Sequence, residues 1–202
     1  ANAGIMALPK LEQVRGIEKQ FATNHLGHFA LTGQLLPVLE AAPAPRIVQI
    51  SSVVHRGGKI MWDNLNAEKS YWRWPFYAQS KLANLIFARE LHRRLLAAGS
   101  PIRAFAAHPG YSATHLQDTV PGGGLFNAMI AQPAEMGCLP GVMAATSADV
   151  QAGEYYGPDG KLLELRGYPA KAYARRIADN PEVAQRLWQV SENMTGVHYL
   201  NP

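Results

Sequence analysis

One cysteine, Cys138, occurs in 202 residues, which excludes an intrachain disulfide framework and any cluster of cysteine-ligated metal. Long apolar runs are also missing. No stretch reaches the roughly 20 residues that span a bilayer, and the opening Ala1-Asn2-Ala3-Gly4 has neither a basic nor an apolar leader character. The chain therefore reads as soluble and cytoplasmic, without a membrane partner. Charge is sparse: 17% of residues against 48% hydrophobic, a balance that excludes disorder and fits one globular domain of this length. The net charge of +4 is not gathered into a stripe, and Arg93-Arg94 and Arg175-Arg176 are only local concentrations. Nucleic acid is not an expected partner, whereas a phosphate-bearing small ligand accounts for some of the basicity. His25 and His28 are three apart on a helical stretch and His108 lies far along the chain, but no third ligand stands at diagnostic spacing. No metal site is expected.

What is present centres on Phe76 to Arg94, a stretch without Gly or Pro and rich in Ala, Leu, Lys, Glu and Arg, which predicts a helix that ends at Gly99-Ser100-Pro101. Within it Tyr77 and Lys81 lie four residues apart and so share a face. A cation beside a phenol favours the phenolate and brings a poor proton donor toward neutral pH. The same pair also fits an ordinary half-buried helix whose polar tips reach water.

Around this helix the pattern alternates. Residues 12–39 carry apolar side chains at three-to-four spacing and predict a long amphipathic helix, Arg46 to Val53 a buried strand, and Ile102 to His108 another. Strand, helix and strand at this spacing make a parallel crossover, so the expected fold is α/β, a doubly wound parallel sheet. Residues 112–137, with Pro121-Gly122-Gly123-Gly124, predict a mobile substrate loop. Ala134 to Ser147 predicts a helix, Gly153 to Gly160 a short strand into a turn, and two helices at about 170–179 and 182–194 close a single domain.

In such a sheet, ligands sit beyond the carboxyl ends of the strands. That rule gathers Asn2-Ala3-Gly4 at the end of a first, incomplete strand, Ser51-Ser52, Pro109-Gly110 after His108, and Tyr77 at the start of the intervening helix. A Ser52 hydroxyl beside the Tyr77 phenol suits hydride transfer to or from a carbonyl. Alone, Ser52 and Pro109-Gly110 fit strand-ending turns equally well.

The ordered set Asn2-Ala3-Gly4, Thr23-Asn24-His25-Leu26-Gly27-His28-Phe29, Ser51-Ser52, Tyr77-x-x-x-Lys81 and Pro109-Gly110-Tyr111-Ser112-Ala113-Thr114 resembles the short-chain dehydrogenase/reductases across almost the whole chain. The gap from Ser52 to Tyr77, the Ser80-Lys81-Leu82-Ala83-Asn84 run and the ending Gly153-Glu154-Tyr155-Tyr156-Gly157-Pro158-Asp159-Gly160 are similar to the retinol-dehydrogenase and light-dependent protochlorophyllide-reductase branch. The resemblance implies a Rossmann-like fold and an oxidoreductase that uses NADP or NAD, with NADP favoured, on an apolar alcohol or carbonyl. It implies Tyr77 as acid/base, Lys81 lowering its pKa and holding the nicotinamide ribose, Ser52 orienting substrate, and Asn24 anchoring a water that links Lys81 to solvent. Asn2, Ala3 and Gly4 would pass the adenosine side of the cofactor, and Pro109, Gly110 and Thr114 its nicotinamide. Many relatives dimerise through the helices that correspond to 12–39 and 76–98. Cys138 does not match the motif cysteine of the photochemical enzymes, which favours thermal chemistry.

The resemblance stops short at one place. A Gly-rich phosphate loop after a first strand has no counterpart, and Gly122 to Gly124 follow no strand, so the sequence resembles the C-terminal two thirds of such an enzyme. The alternative expectation is a non-catalytic fragment or scaffold unable to hold the dinucleotide.

Overall fold

The computed structural model describes residues 1–112, 131–161 and 163–200. The elements in chain order are β1 (Gln13–Val14), β2 (Ile17–Glu18), α1 (Lys19–Phe21), a π turn (Ala22–Leu26) and α2 (Gly27–Glu40). Then come β3 (Arg46–Ile50), a 3-10 turn (Val53–Gly57), α3 (Arg73–Ala97), β4 (Arg103–Ala107), α4 (Ala134–Thr146), β5 (Tyr155–Pro158), β6 (Pro169–Lys171), a second 3-10 turn (Arg176–Asp179) and α5 (Pro181–Thr195). Strands β3, β4 and β5 are parallel, with Arg46 opposite Arg103 and Ala107 opposite Tyr156, and β6 adds antiparallel to β5.

Both faces of this sheet are covered. On one, Ala106 and Ile47 join the apolar clusters built around α3, in which Leu82, Leu85, Ile86, Leu91 and Leu95 are buried. On the other, Phe105, with Val48 packed against it, meets Ala144 and Met143 of α4. A strand buried on both faces is the signature of a doubly wound α/β sheet, as the sequence predicts. The helix α3 starts three residues earlier than expected because Pro75 falls in its first turn, where a missing N–H costs nothing.

Two expectations are corrected. Residues 12–18 are not the start of the long helix: they form the β1–β2 hairpin, whose turn at Arg15 and Gly16 has positive φ. The helical stretch begins at Lys19, where the Glu18 carboxylate accepts from the Phe21 N–H and caps it. Residues 170–179 are not a helix either. Pro169–Lys171 pairs with β5, Ala172 N–H continues that ladder to the Tyr155 carbonyl, and only Arg176–Asp179 makes a 3-10 turn. The expected substrate loop, residues 112–137, is described only at its ends: Ser112 bridges to Gln132 and α4 begins at Ala134. Residues 113–130, Thr114 among them, lie outside the described residues.

The C-terminal segment packs over α2 and α3. Trp188 of α5 stacks with Phe29, Phe87 and Tyr199, the Arg94 guanidinium lies 4.2 Å from the Trp188 ring, and Tyr199 donates to the Phe29 carbonyl. Leu31, Leu35 and Val38 of α2 and Leu96 of α3 remain exposed. Among the described residues no helix is long and apolar enough to cross a membrane.

Candidate active site

The expected edge of the sheet assembles. The Ala1 ammonium donates to the Val48 carbonyl and the Ile50 N–H donates back to the Ala1 carbonyl, at 2.8 and 3.0 Å, so Ala1 pairs parallel to β3 on its open side. Asn2 and Ala3 follow as exposed residues, and Gly4 turns inward. A Cβ at Gly4 would lie 3.1 Å from Asn24 Oδ1 and 3.6 Å from Lys81 Nζ, so bare backbone crosses this point. Gly4, Asn24 and Lys81 are therefore neighbours, although 77 positions separate the first and last.

The two serines after β3 take different tasks. Ser51 is buried and donates to the Lys81 carbonyl at 2.7 Å, which ties the strand end to α3. Ser52 is extended, its Oγ accepts from the Val54 N–H at 3.4 Å, and it faces the Tyr77 phenol. Tyr77 is only 4% exposed. Burial pushes its phenol up to about 12, with the Ser52 hydroxyl pulling the other way. This corrects the expectation that Lys81 tunes Tyr77 toward neutrality. The Lys81 Nζ is 5.8 Å from the Tyr77 ring centroid and donates to the Ile50 carbonyl at 3.2 Å, so the cost of desolvating a phenolate dominates.

Lys81 is buried as well, and burial brings its ammonium down from 10.5 to about 8. Because the folded chain holds this proton less tightly than the unfolded one, the unfolded state binds more protons between pH 8 and 10.5, and stability rises with pH across that window. The gap corresponds to roughly 3 kcal/mol at 1.36 kcal/mol per pKa unit. Denaturant unfolding of the wild type and of Lys81→Met at pH 7.5 and 10.5 should show the wild type gaining about 2–3 kcal/mol relative to the variant; parallel behaviour of the two would refute the buried-cation account.

Asn24 is presented by the π turn, a device found often at functional sites. Its side chain accepts from Ile5 N–H at 2.8 Å and donates to the Ile5 carbonyl and to Ser80 Oγ, both at 2.9 Å. Its own carbonyl accepts from His28 Nδ1 at 2.8 Å. What the structure shows of Asn24 is thus a clamp on the segment that carries Gly4. His25, the other histidine of this turn, is buried, meets Ser191 Oγ of α5 at 2.8 Å, and is brought down to about 3 by desolvation.

After β4, Gly110 has a φ of +66 and its Cβ would lie 2.4 Å from the Leu165 carbonyl oxygen, so glycine is required there. The Pro109 carbonyl accepts from Ser112 Oγ and Gln132 Nε2, each at 2.8 Å. Three residues of this edge are given no role by the sequence patterns. Asn84, one turn beyond Lys81, donates to the same Ile50 carbonyl at 3.0 Å. His55 is fully buried, and its Nδ1 donates to the Ser52 carbonyl at 2.7 Å. Glu164 joins Arg56 at 2.6 Å and His108 Nε2 at 3.3 Å. Only the spacing of Asn84 from Lys81 on a helix was open to inspection beforehand.

These residues suit one end of a nicotinamide dinucleotide. Among the described residues Lys81 spends one of its three donors on Ile50, which leaves N–H groups for ribose hydroxyls, and Gly4 leaves backbone room beside it. The described strand ends carry no Gly-rich turn for the phosphates.

A family model described as short chain dehydrogenase matches residues 1–122. Retinol dehydrogenase 14 of Homo sapiens is 38% identical over 206 residues, covering 97% of this chain and 57% of the relative. Retinol dehydrogenase 13 of Homo sapiens is 36% identical over 209 residues, covering 97% and 59%. The chain thus spans less than two thirds of the length of these curated relatives. The crystal structure of an uncharacterized protein from Mycobacterium Paratuberculosis matches with a TM-score of 0.79 at 38% identity, over 98% of this chain and 66% of the other. A Pseudomonas aeruginosa RhlG/NADP complex matches at a TM-score of 0.52 and 24% identity over 77% and 60%, a likeness of fold. With a parallel sheet that brings Ser52, Tyr77 and Lys81 to one edge and a family model that covers more than half of it, the chain belongs to the short chain dehydrogenase family.

Proposed function

We propose that the protein is an NADP- or NAD-dependent oxidoreductase that interconverts an alcohol and a carbonyl on an apolar small molecule. The observation that carries this is the Tyr77 phenol, buried beside the Ser52 hydroxyl and one helical turn from the Lys81 ammonium at the carboxyl edge of the sheet. The bound nicotinamide supplies or accepts the hydride. Tyr77 gives a proton to the carbonyl oxygen in reduction and takes it back in oxidation; Ser52 orients that oxygen; Lys81 holds ribose hydroxyls.

An apolar substrate is supported by the cleft of about 410 Å³ whose lining is mostly apolar, Val54, Met61, Trp74, Pro75 and Ala78 with Gly57 and the single cation Lys59, and whose Trp74 ring meets the Tyr77 ring edge-on at 6.2 Å. The names of the relatives point to retinol, an apolar alcohol. A second reading, a scaffold that does not hold the dinucleotide, draws on the described strand ends, which carry no Gly-rich turn. Titration of the chain with NADH and NADPH, followed by cofactor fluorescence, separates them: saturable micromolar binding supports the oxidoreductase, and its absence supports the scaffold.

A further inference from the structure

Ser52 must hold its hydroxyl toward Tyr77, yet it is half-buried just past the end of a strand, where the chain leaves the ladder. What fixes it comes from the turn that follows. His55 donates to the Ser52 carbonyl twice, from its backbone N–H at 3.1 Å and from its ring Nδ1 at 2.7 Å. Since a carbonyl only accepts, Nδ1 carries the proton. The ring is fully buried, and burial takes it down to about 4, so it remains neutral and in this tautomer across ordinary pH.

The ring is braced in turn. It stands edge-on to Tyr155 of β5, centroids 5.3 Å apart at 89°. Tyr155 lies against His108 at 5.0 Å, and the His108 ring accepts from Gly110 N–H at 3.1 Å. A column of three rings, His55, Tyr155 and His108, therefore runs beneath the two strand ends that carry Ser52 and Pro109-Gly110. The groups facing it are Arg56 on the same turn and Glu164 from the β5–β6 connection, and these two pair with each other at 2.6 Å.

We infer that His55 is a positioning residue, which sets the Ser52 hydroxyl against the Tyr77 phenol by holding the Ser52 carbonyl from below. It touches neither substrate nor cofactor and acts through Ser52. The inference rests on the role proposed above for Ser52 and Tyr77.

The test is a double-mutant cycle with steady-state kinetics and thermal unfolding, on Ser52→Ala, His55→Ala, His55→Asn and the Ser52→Ala/His55→Ala pair. Asn offers an N–H near the place of Nδ1. His55→Ala should lower kcat about 10- to 100-fold with little change in KM, at or below the roughly 10²- to 10³-fold of one lost oxyanion partner because Ser52 is displaced and not removed. His55→Asn should restore most of it. In the Ser52→Ala background, His55→Ala should cost less than about twofold more, because the hydroxyl it positions is gone. Losses that multiply, or an Asn variant as impaired as Ala, would overturn the inference and leave His55 as packing. Ser52→Ala at wild-type rate would overturn the proposed role of Ser52 and the inference with it. If His55→Ala unfolds, His55→Asn against His55→Leu in both backgrounds gives the same cycle.

Discussion

Tyr77→Phe is expected to lower turnover by about 10²- to 10⁴-fold, the scale of a positioned general acid or base. The substitution removes one oxygen and keeps the ring, so the contacts of that ring with Trp74 and the cation 5.8 Å away persist. Stability should change by less than about 1 kcal/mol, because a buried hydroxyl that loses its partner is replaced by an apolar edge of the same shape. Cofactor affinity should hold, since Lys81 is fixed by the Ile50 carbonyl and not by Tyr77. Ser52 cannot take over, because its hydroxyl is a far weaker acid than a phenol. Burial keeps the phenol protonated up to about 12 in the free chain, so the proton for carbonyl reduction is present at every working pH. Alcohol oxidation needs the phenolate and should quicken as pH rises across this range, because the phenol titrates only near 12. Steady-state rates in both directions from pH 6 to 9 check the account; undiminished turnover in Tyr77→Phe would remove Tyr77 from the chemistry.

Much of this site was legible in the sequence, and the limits are physical. The Tyr77–Lys81 spacing, the β-branched run ending at Ser51-Ser52 and the break at Pro109-Gly110 are local signals, and each sits where those signals place it. Proximity is legible from spacing; desolvation is not. The same four-residue offset that puts a cation near a phenol says nothing of a site in which Tyr77 and Lys81 are both about 4% exposed, and there burial outweighs attraction. The hairpin at residues 12–18 was hidden for a related reason. Val14, Ile17 and Phe21 keep helical spacing, while the turn depends on Arg15 taking a positive φ that its side chain does not advertise. Glu164 and His108 stand 56 residues apart and meet only because β5 and its following turn fold back over β4. No pattern in either segment points to the other.

That meeting sets the second large effect. Gly157 of β5 faces the His108 ring so closely that a Cβ there would lie 1.9 Å from Nε2, 2.4 Å from Cδ2 and 2.6 Å from Cε1. A lysine or methionine tip could swing aside, but this ring is 1% exposed and held on every side. Gly110 N–H donates to its Nδ1, so the proton is on Nε2, which donates toward Glu164, and Tyr155 covers one face. Gly157→Ala must therefore push the imidazole off Glu164 or push β5 off β4, whose ladder includes the Ala107–Tyr156 pair next door. Overpacking of a closed site costs about 1–3 kcal/mol, and the upper end is expected because a hydrogen-bonded ring has to move. At roughly 2–4 °C per kcal/mol for a chain of this size, the unfolding midpoint should fall by about 5–10 °C. The Pro109-Gly110 turn moves with His108, so turnover should suffer as well. Adding His108→Ala removes the obstructing ring, and the double variant should lose clearly less than the sum of the two single losses. Thermal and denaturant unfolding of the three variants decides it: a Gly157→Ala chain within about 0.5 kcal/mol of wild type, or strictly additive losses, would mean that β5 accommodates the methyl without disturbing His108.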